Sequence, residues 1–476
     1  MTVQVYSYEA GFQYSRATAA DAAAKSAQFH RANRNMLSLA EPIEIVGLGA
    51  SGLAAARFLA RAGYQPGSMD SRPNAAGATV VRGMGLPEPL LGRLDVDRLL
   101  AAGSIVLSPG VPRALPEIAQ AIASGVPVMG DIELFARVAD APVVAITGSN
   151  GKSSVTTLVR DIALTAGLDV RAGGNLGPAA LDLLADESPD WYVLELSSFQ
   201  LESTFSLRPH VASILNVSED HLDRYDDMES YAAIKARVLN GASCAVLPAD
   251  SELTPPCDVR CFGLSEPAAG QYGVATFEDA AWMAYGRELL MPVADLAVPG
   301  SHNVANSLAA LAISDVMGIP REPALRAIFQ FKGLPHRCEL VAQSAGVRWI
   351  NDSKGTNVGA TVAAVEGLAS QGPIVLLAGG LGKGADFGPL AEAARGRVRA
   401  VLLFGEDAGL IDSALHPETQ REHVADLNAA IERAGVLAEP GDTVLLSPAC
   451  ASYDMFKSFE ARGDAFAERV REVLHL

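Results

Sequence analysis

Lys152 lies in the segment Thr147-Gly148-Ser149-Asn150-Gly151-Lys152-Ser153-Ser154, which leaves the apolar run Val143-Val144-Ala145-Ile146 and enters a helix-like stretch. Glycines free backbone N–H groups to wrap phosphates, the Lys152 ammonium neutralises the outer phosphate oxygens, and the Ser153 hydroxyl can ligand Mg²⁺. Ile146 occupies the place of the first glycine of the general phosphate loop, so a shorter loop is expected. An ordinary glycine-rich turn is the plainer reading, and the strand-loop-helix context favours phosphate over it. Upstream, Gly47-Leu48-Gly49-Ala50-Ser51-Gly52 also joins a strand to a helix, with Asp70 closing the next strand. This pattern lets a backbone approach a pyrophosphate at a helix N-terminus while a carboxylate reaches the neighbouring sugar or base. It leaves NAD, FAD and UDP-sugars open. Downstream, Glu195 ends Trp191-Tyr192-Val193-Leu194, and Glu219-Asp220-His221 follows Ile214 to Val217. Because Mg²⁺ prefers oxygen ligands and accepts an occasional imidazole, Ser153, Glu195 and His221 are candidate metal ligands. Capping of a helix is the plainer role for an acid at a strand end.

The elements that position these groups alternate along the chain. Ile43 to Val46 reads as a strand, followed by an Ala-rich helix to about Ala62 and a second strand from Tyr64 to Asp70. Ile105-Val106-Leu107 and Val126-Pro127-Val128 continue the pattern, and Ala139 to Pro142 reads as a linker. A second α/β unit opens at Val143, with later strands at Trp191 to Leu196 and Val211 to Val217. Its polar groups fall at strand ends, where a parallel sheet places ligands. Leu308 to Met317 reads as a helix, and Gly333-Leu334-Pro335 as a second hinge. Strands at Ile374 to Ala378, Ala400 to Phe404 and Val444 to Leu446 make a third doubly wound unit. The expected fold is α/β in three domains: a Rossmann-like unit over 41–140, a central P-loop ATPase-like parallel-sheet unit over 141–333, and a Rossmann-like unit over 334–476. Residues 1–40, rich in Ala, Ser, Gln and Asn, read as a disordered tail, within which Met36 offers an alternative translation start.

Length and composition agree with this division. A chain of 476 residues is too long for one ordinary core, and 49% hydrophobic residues supply enough for several. A net charge of -18 disfavours a protein that grips a nucleic-acid backbone. Five scattered cysteines suggest neither a disulfide framework nor a four-ligand zinc site, and the Cys257–Cys261 pair has no second pair beside it. No apolar run approaches the ~18 residues of a membrane span, and the N-terminus lacks the pattern of an export signal. A cytoplasmic location fits.

Segments 147–154, 195–202 and 216–225 resemble, in order, the central-domain motifs of the Mur ligases. Ser301-His302-Asn303, Gly333 to Arg337 and Asn351 to Asn357 continue the series, and Leu446 to Gly463 is similar to the branch of the family that adds D-glutamate. The likeness spans about residues 43–476, and the Asn-Pro-Arg segment usual in the diaminopimelate- or lysine-adding branch is not found. It implies ATP-dependent ligation of D-glutamate to UDP-N-acetylmuramoyl-L-alanine through an acyl phosphate, as a cytoplasmic, monomeric step of peptidoglycan synthesis. ATP and Mg²⁺, with two ions, are implied as cofactors. By motif, Gly148, Ser149, Asn150, Gly151, Lys152, Ser153, Ser154, Asn303, Arg337 and Asp352 are implied to contact ATP. Lys152, Glu195, His221 and Lys235 take the catalytic positions, and Lys235 matches a family lysine whose carbamate is a metal ligand alongside Ser153, Glu195 and His221. The UDP substrate falls to Leu48, Ser51, Asp70, Ser71, Arg72, Gly110 and Asn175. D-Glutamate falls to Thr356, Lys383, Ser452 and Phe459. One departure stands out: Leu381-Gly382 precedes Lys383 where relatives commonly carry an Asp. The competing readings are a nicotinamide-dependent oxidoreductase, motivated by residues 47–70; a nucleotide-gated regulatory protein, motivated by the phosphate loop; and another Mur-type or folate-glutamate ligase.

Overall fold

The computed structural model describes residues 37–475 apart from Leu222, Asp223, Pro299 and Ser370. Most of the expected tail, including Met36, lies outside the described residues. Its last part is no tail, because Leu37 and Leu39 are buried in a core.

The first sheet is built from β1 (Ile43–Val46), β2 (Gly67–Asp70), β3 (Leu90–Leu91), β4 (Ser104–Leu107) and β5 (Val128–Met129), in the order β3-β2-β1-β4-β5 with every pair parallel. β1 and β4 are buried along their whole length, as expected of strands covered on both faces by helices. The chain direction of assembly reverses between β1 and β4, so the loops leaving these neighbours part and open a crevice at their carboxyl ends. Gly52 on the helix Ala50–Arg61 is needed for closure of the first turn: a Cβ there would lie 1.9 Å from the Gly47 carbonyl oxygen.

The central sheet contains β6 (Val143–Thr147), β7 (Val170–Gly174), β8 (Trp191–Glu195), β9 (Val211–Ile214), β10 (Cys244–Pro248), β11 (Asp258–Phe262), β12 (Tyr272–Phe277), β13 (Ala280–Tyr285) and β14 (Glu288–Pro292). Its order is β14-β13-β12-β11-β10-β9-β6-β8-β7. The expectation of a parallel sheet holds from β7 to β12 and fails beyond, where β12 to β14 pair antiparallel through two hairpins. β6 lies between β8 and β9, so its following loop emerges at a switch point flanked by both strand ends. The strand read as Val211 to Val217 ends at Ile214, which releases Leu215 to Ser218 to wrap the phosphate loop.

The last sheet orders β15 (Glu339–Ser344), β16 (Val347–Asn351), β17 (Ile374–Gly379), β18 (Val398–Phe404), β19 (Arg421–His423) and β20 (Thr443–Leu446) as β15-β16-β20-β17-β18-β19. Only the β15–β16 hairpin is antiparallel. The adjacent strands β16, β20 and β17 therefore deliver Asp352, Ser452 and Lys383 from loops at one edge.

Candidate active site

The phosphate loop is held from below by its own surroundings. The Ser149 N–H donates to the Asn216 carbonyl at 3.0 Å, and the Asn150 N–H donates to Asn216 Oδ1 at 2.8 Å. Asn216 Nδ2 returns a bond to the Asn150 carbonyl at 3.0 Å, while the Ser149 hydroxyl donates to the Ser218 carbonyl at 2.9 Å and accepts from the Ser218 N–H. Two of the loop's N–H groups are thus spent internally. The first-turn N–H groups of the helix Lys152–Thr165, which helix geometry leaves without intrahelical partners, are the donors left open to an anion. Gly151 caps that helix at φ +81°, a left-handed conformation that suits glycine. Gly148 does not line the cavity. Its carbonyl accepts Lys152 Nζ and Lys235 Nζ, both at 2.8 Å, so this expected site residue orients the two lysines and lies outside the cavity lining.

Around this loop lies a cavity of ≈ 720 Å³. Ser149 to Ser154, Asn175, Glu195, His221, Lys235, Asn303, Arg337, Asp352, Thr356, Lys383, Ser452 and Phe459 all line it. Residues far apart in sequence and drawn from the central and last sheets therefore meet. Arg337 Nη2 donates to Ser153 Oγ at 2.6 Å, Asn357 Nδ2 to Asp220 Oδ2 at 3.0 Å, and Lys383 Nζ stands 3.7 Å from Asp220 Oδ1. Asn175 Nδ2 donates to Glu195 Oε1 at 2.6 Å, whereas Glu195 Oε2 is buried with no hydrogen-bond partner. A buried carboxylate oxygen left without a donor calls for a cation or a bound donor.

Crowding of cations sets the electrostatics. Burial, and then the neighbouring Lys152, pull Lys235 down to about 7, so its amine is largely neutral above that pH. Burial likewise lowers Lys152, opposed by Glu195 and Asp220, and lowers Lys354 to about 8 with Arg337 and Lys152 adding to the effect. Burial raises the Asp352 carboxyl to about 6, against hydrogen bonds from Ser447 Oγ at 2.7 Å and the Cys338 N–H at 3.2 Å. Lys152, Lys354, Lys383 and Arg337 outnumber the acids Glu195, Asp220 and Asp352 around the cavity, a ready counter-charge for a polyanion.

A second cavity of ≈ 570 Å³ lies at the ends of β1, β2 and β4 and is lined by Ser51, Asp70, Ser71, Arg72, Gly110 and Asn175. Leu48 is absent from the lining. It is buried, and its N–H donates to Asp70 Oδ2 at 2.8 Å. Asp70 Oδ1 accepts from the Arg72 N–H and Nε, and Oδ2 also accepts Arg72 Nη2 at 2.7 Å. The side-chain bonds from Arg72, outweighing burial, hold Asp70 at about 2. This carboxylate is spent on the loop and on Arg72. It bonds Arg72 while itself lining the cavity.

Asn175, Ser197 and Phe199 line both cavities, so the two are immediate neighbours. Several functional residues escaped the sequence reading. Asp220 sits between His221, Asn357 and Lys383, while Glu219 beside it is exposed. The Tyr231 hydroxyl lies 3.2 Å from Ser149 Oγ, and its ring lies 4.4 Å from Lys235 Nζ, a signal available as an i, i+4 pair on one helix. Lys354 Nζ lies 4.2 Å over the Phe459 ring. The Lys383 loop, with Gly382 in place of an Asp before the lysine, is held by Asp407, whose Oδ2 accepts the Gly382 N–H at 2.7 Å. Among the described residues no group of three or more His, Cys, Asp or Glu could hold a metal ion, so any ion at Glu195 needs ligands of other types.

Comparison with known proteins gives three consecutive family matches: the Mur ligase MurD-like N-terminal domain over residues 41–130, the Mur ligase middle domain over 146–314, and the Mur ligase glutamate ligase domain over 336–450. The UDP-N-acetylmuramoylalanine–D-glutamate ligase of Nitrosococcus oceani is 48% identical over 436 residues, covering 90% of this chain and 96% of its own. The enzyme of the same name from Pseudomonas aeruginosa is 48% identical over 438 residues, covering 90% and 97%. Among solved structures, the UDP-N-acetylmuramate-alanine ligase MurC of Thermotoga maritima aligns with a TM-score of 0.59 at 20% identity, covering 90% of this chain and 99% of that one. The MurF ligase of Thermotoga maritima in complex with ADP aligns with a TM-score of 0.58 at 16% identity, covering 93% and 97%. At these identities the structural likeness establishes the three-unit fold.

Proposed function

The chain belongs to the Mur ligase family, and we propose that it joins D-glutamate to the L-alanyl carboxylate of UDP-N-acetylmuramoyl-L-alanine in peptidoglycan synthesis, converting ATP to ADP and phosphate. The observation that carries the reading is the junction of the two cavities at Asn175, Ser197 and Phe199, where a substrate held in the first unit presents its far end to the phosphate loop.

A carboxylate does not acylate an amine in water until its oxygen becomes a leaving group. In the proposed reaction the L-alanyl carboxylate attacks the γ-phosphorus of ATP, the bond to ADP breaks, and an acyl phosphate forms. The amino group of D-glutamate then attacks the acyl carbon, and phosphate leaves as the amide forms. Lys152 and Arg337 offer fixed positive charge to the phosphoryl oxygens, and the site's charges are set before reaction begins. Asn303 and Asp352 line the nucleotide side of the cavity, while Thr356, Lys383, Ser452 and Phe459 form the amino-acid side, with the Lys383 ammonium a partner for a carboxylate.

The residues present fit Mg²⁺, because the partnerless Glu195 Oε2 lies in the same cavity as Ser153 and His221. Lys235 would join them after carbamylation: its neutral amine bonds to the carbon of CO₂, one N–H proton is lost to solvent, and the side chain becomes an anionic carbamate that could offer oxygen to a metal. Two ions, held by Ser153 and Glu195 and by His221 and the Lys235 carbamate, would neutralise phosphate charge when bound. All these groups come from one chain, which supports action as a monomer. Among the described residues no helix is long and apolar enough to cross a membrane, and dependence on ATP and a UDP-linked acceptor suits the cytoplasm.

The nicotinamide reading loses its main support, since the fingerprint acid Asp70 is committed to Leu48 and Arg72. The direct test supplies ATP, Mg²⁺ and UDP-N-acetylmuramoyl-L-alanine with a panel of amino acids and reads products by mass spectrometry. D-Glutamate alone is expected to be added. Preferential addition of another amino acid overturns the specificity, and nicotinamide turnover without ADP release overturns the reaction class.

A further inference from the structure

Arg224 touches neither the phosphate loop nor the amino-acid side of the cavity, yet it contacts the walls of both cavities at once. Its Nη1 donates to the Pro109 carbonyl at 2.9 Å, and Ser108, Pro109 and Gly110 all line the smaller cavity. Its Nε and Nη2 fork onto the Glu202 carboxylate at 3.1 and 2.7 Å, with both side chains only 11% exposed. The face of the guanidinium lies 4.1 Å from the centre of the Phe199 ring. Phe199 lines both cavities, and its ring centre is 4.7 Å from that of His221.

A second branch leaves the same carboxylate. The Tyr225 hydroxyl donates to Glu202 Oε1 at 2.7 Å, the Tyr225 and Tyr231 rings are 5.2 Å apart, and the Tyr231 hydroxyl meets Ser149 Oγ at 3.2 Å. Contact is therefore continuous from the loop at 108–110 to the phosphate loop. We infer that Arg224 is a positioning residue that couples occupancy of the UDP cavity to the geometry of the phosphate-binding centre, an inference that rests on the assignment of the two cavities proposed above. Only a planar fork can satisfy Glu202, reach Pro109 and lay a face on Phe199 at the same time; an ammonium cannot. When the 108–110 loop adjusts to a diphosphate, the guanidinium is drawn with it, and Phe199 and the Glu202–Tyr225–Tyr231 branch follow. The nucleotide site then binds more tightly when the substrate to be phosphorylated is present.

The test is calorimetric binding of a non-hydrolysable ATP analogue with Mg²⁺ to the full-length protein, with and without saturating UDP-N-acetylmuramoyl-L-alanine. The wild type is expected to bind the analogue at least about fivefold more tightly with the UDP ligand, and linkage requires the same factor in the reverse titration. In Arg224→Met the factor falls below about twofold while affinity for the analogue alone stays within about twofold of wild type. Arg224→Lys and Phe199→Leu, which keep charge or apolar volume, lose the coupling too and serve if the methionine variant does not fold. Arg57→Ala, which removes an ion pair with Asp182 between the same two units, keeps the wild-type factor. Retention of coupling in a folded Arg224 variant, or its absence in a wild type that binds both ligands, overturns the inference. A wild type that binds neither ligand contradicts the functional reading itself.

Discussion

The first and central units are joined differently from the central and last units. Leu37 to Val138 of the first unit and Val143 to Leu247 of the central unit contribute to one buried apolar cluster, in which Leu181, Leu194 and Ala245 pack with Leu59, Ile132 and Phe135. Polar bonds add to that seam: Glu133 accepts the Phe205 and Ser206 N–H groups, and Arg57 pairs with Asp182. The last unit has its own apolar clusters, and meets the central one through Arg337 with Ser153, Asn357 with Asn150 and Asp220, and Lys383 with Asp220. Sliding an apolar seam exposes hydrocarbon to water, whereas polar groups around a cavity exchange their partners for water or ligand at little net cost. The fixed seam holds the UDP cavity against the phosphate loop. The polar seam is the one that can open and close at little net cost, so closure over ligands is expected there.

Truncating the fixed seam should have the largest effect. Leu181→Ala is expected to cost about 2–5 kcal/mol in denaturant unfolding, with faster hydrogen exchange in both the first and central units. Destabilisation confined to the central unit would break the claim of one shared core. Next, Lys152→Ala should lower turnover by at least about 10²–10³-fold with unchanged melting behaviour, measured as ADP release. Near-normal turnover by the folded variant would contradict its role. Arg337→Ala, across the polar seam, should weaken ATP by about ten- to a hundredfold, the equivalent of one charged hydrogen bond, and leave stability unchanged. A large loss of stability would show that this seam also carries packing. The smallest effect concerns protonation at Lys235. Its pKa lies below the ordinary lysine value, so the reactive neutral amine is lost as pH falls through about 7 and is present above it. Uptake of ¹³C-bicarbonate at Lys235, followed by NMR, should rise as pH increases through this value, and equally in Arg337→Ala because Lys235 sits on the fixed side. A flat profile would refute carbamylation through the neutral amine.

What was legible in the sequence was local. The Gly47 to Gly52 turn, the Lys152 loop and the strand-end position of Glu195 follow from short-range alternation and glycine chemistry, whereas His221 lies in the loop well past the end of β9 at Ile214. Long-range pairing was not legible. The β12–β13 hairpin turns at Glu278 and Asp279, both with positive φ and without the glycine that would mark such a turn. Asn216 reads as a strand-end residue until its side chain is seen closing the phosphate loop, and the acid that holds the Lys383 loop lies 25 residues away at Asp407. Asp70 illustrates the opposite case, since its position was evident but its partners were not: the nearby Leu48 N–H and Arg72 bond to the carboxylate. Leu37 and Leu39, in a polar stretch, become core only because the seam supplies apolar neighbours.

The central claim is that the two cavities meet so that a carboxylate held in one is phosphorylated from the other. It is tested most directly with UDP-N-acetylmuramoyl-L-alanine carrying ¹⁸O in its terminal carboxylate, turned over with ATP and D-glutamate. Mass analysis of the released inorganic phosphate should find one ¹⁸O transferred for each amide formed; amide formation with unlabelled phosphate would contradict the account.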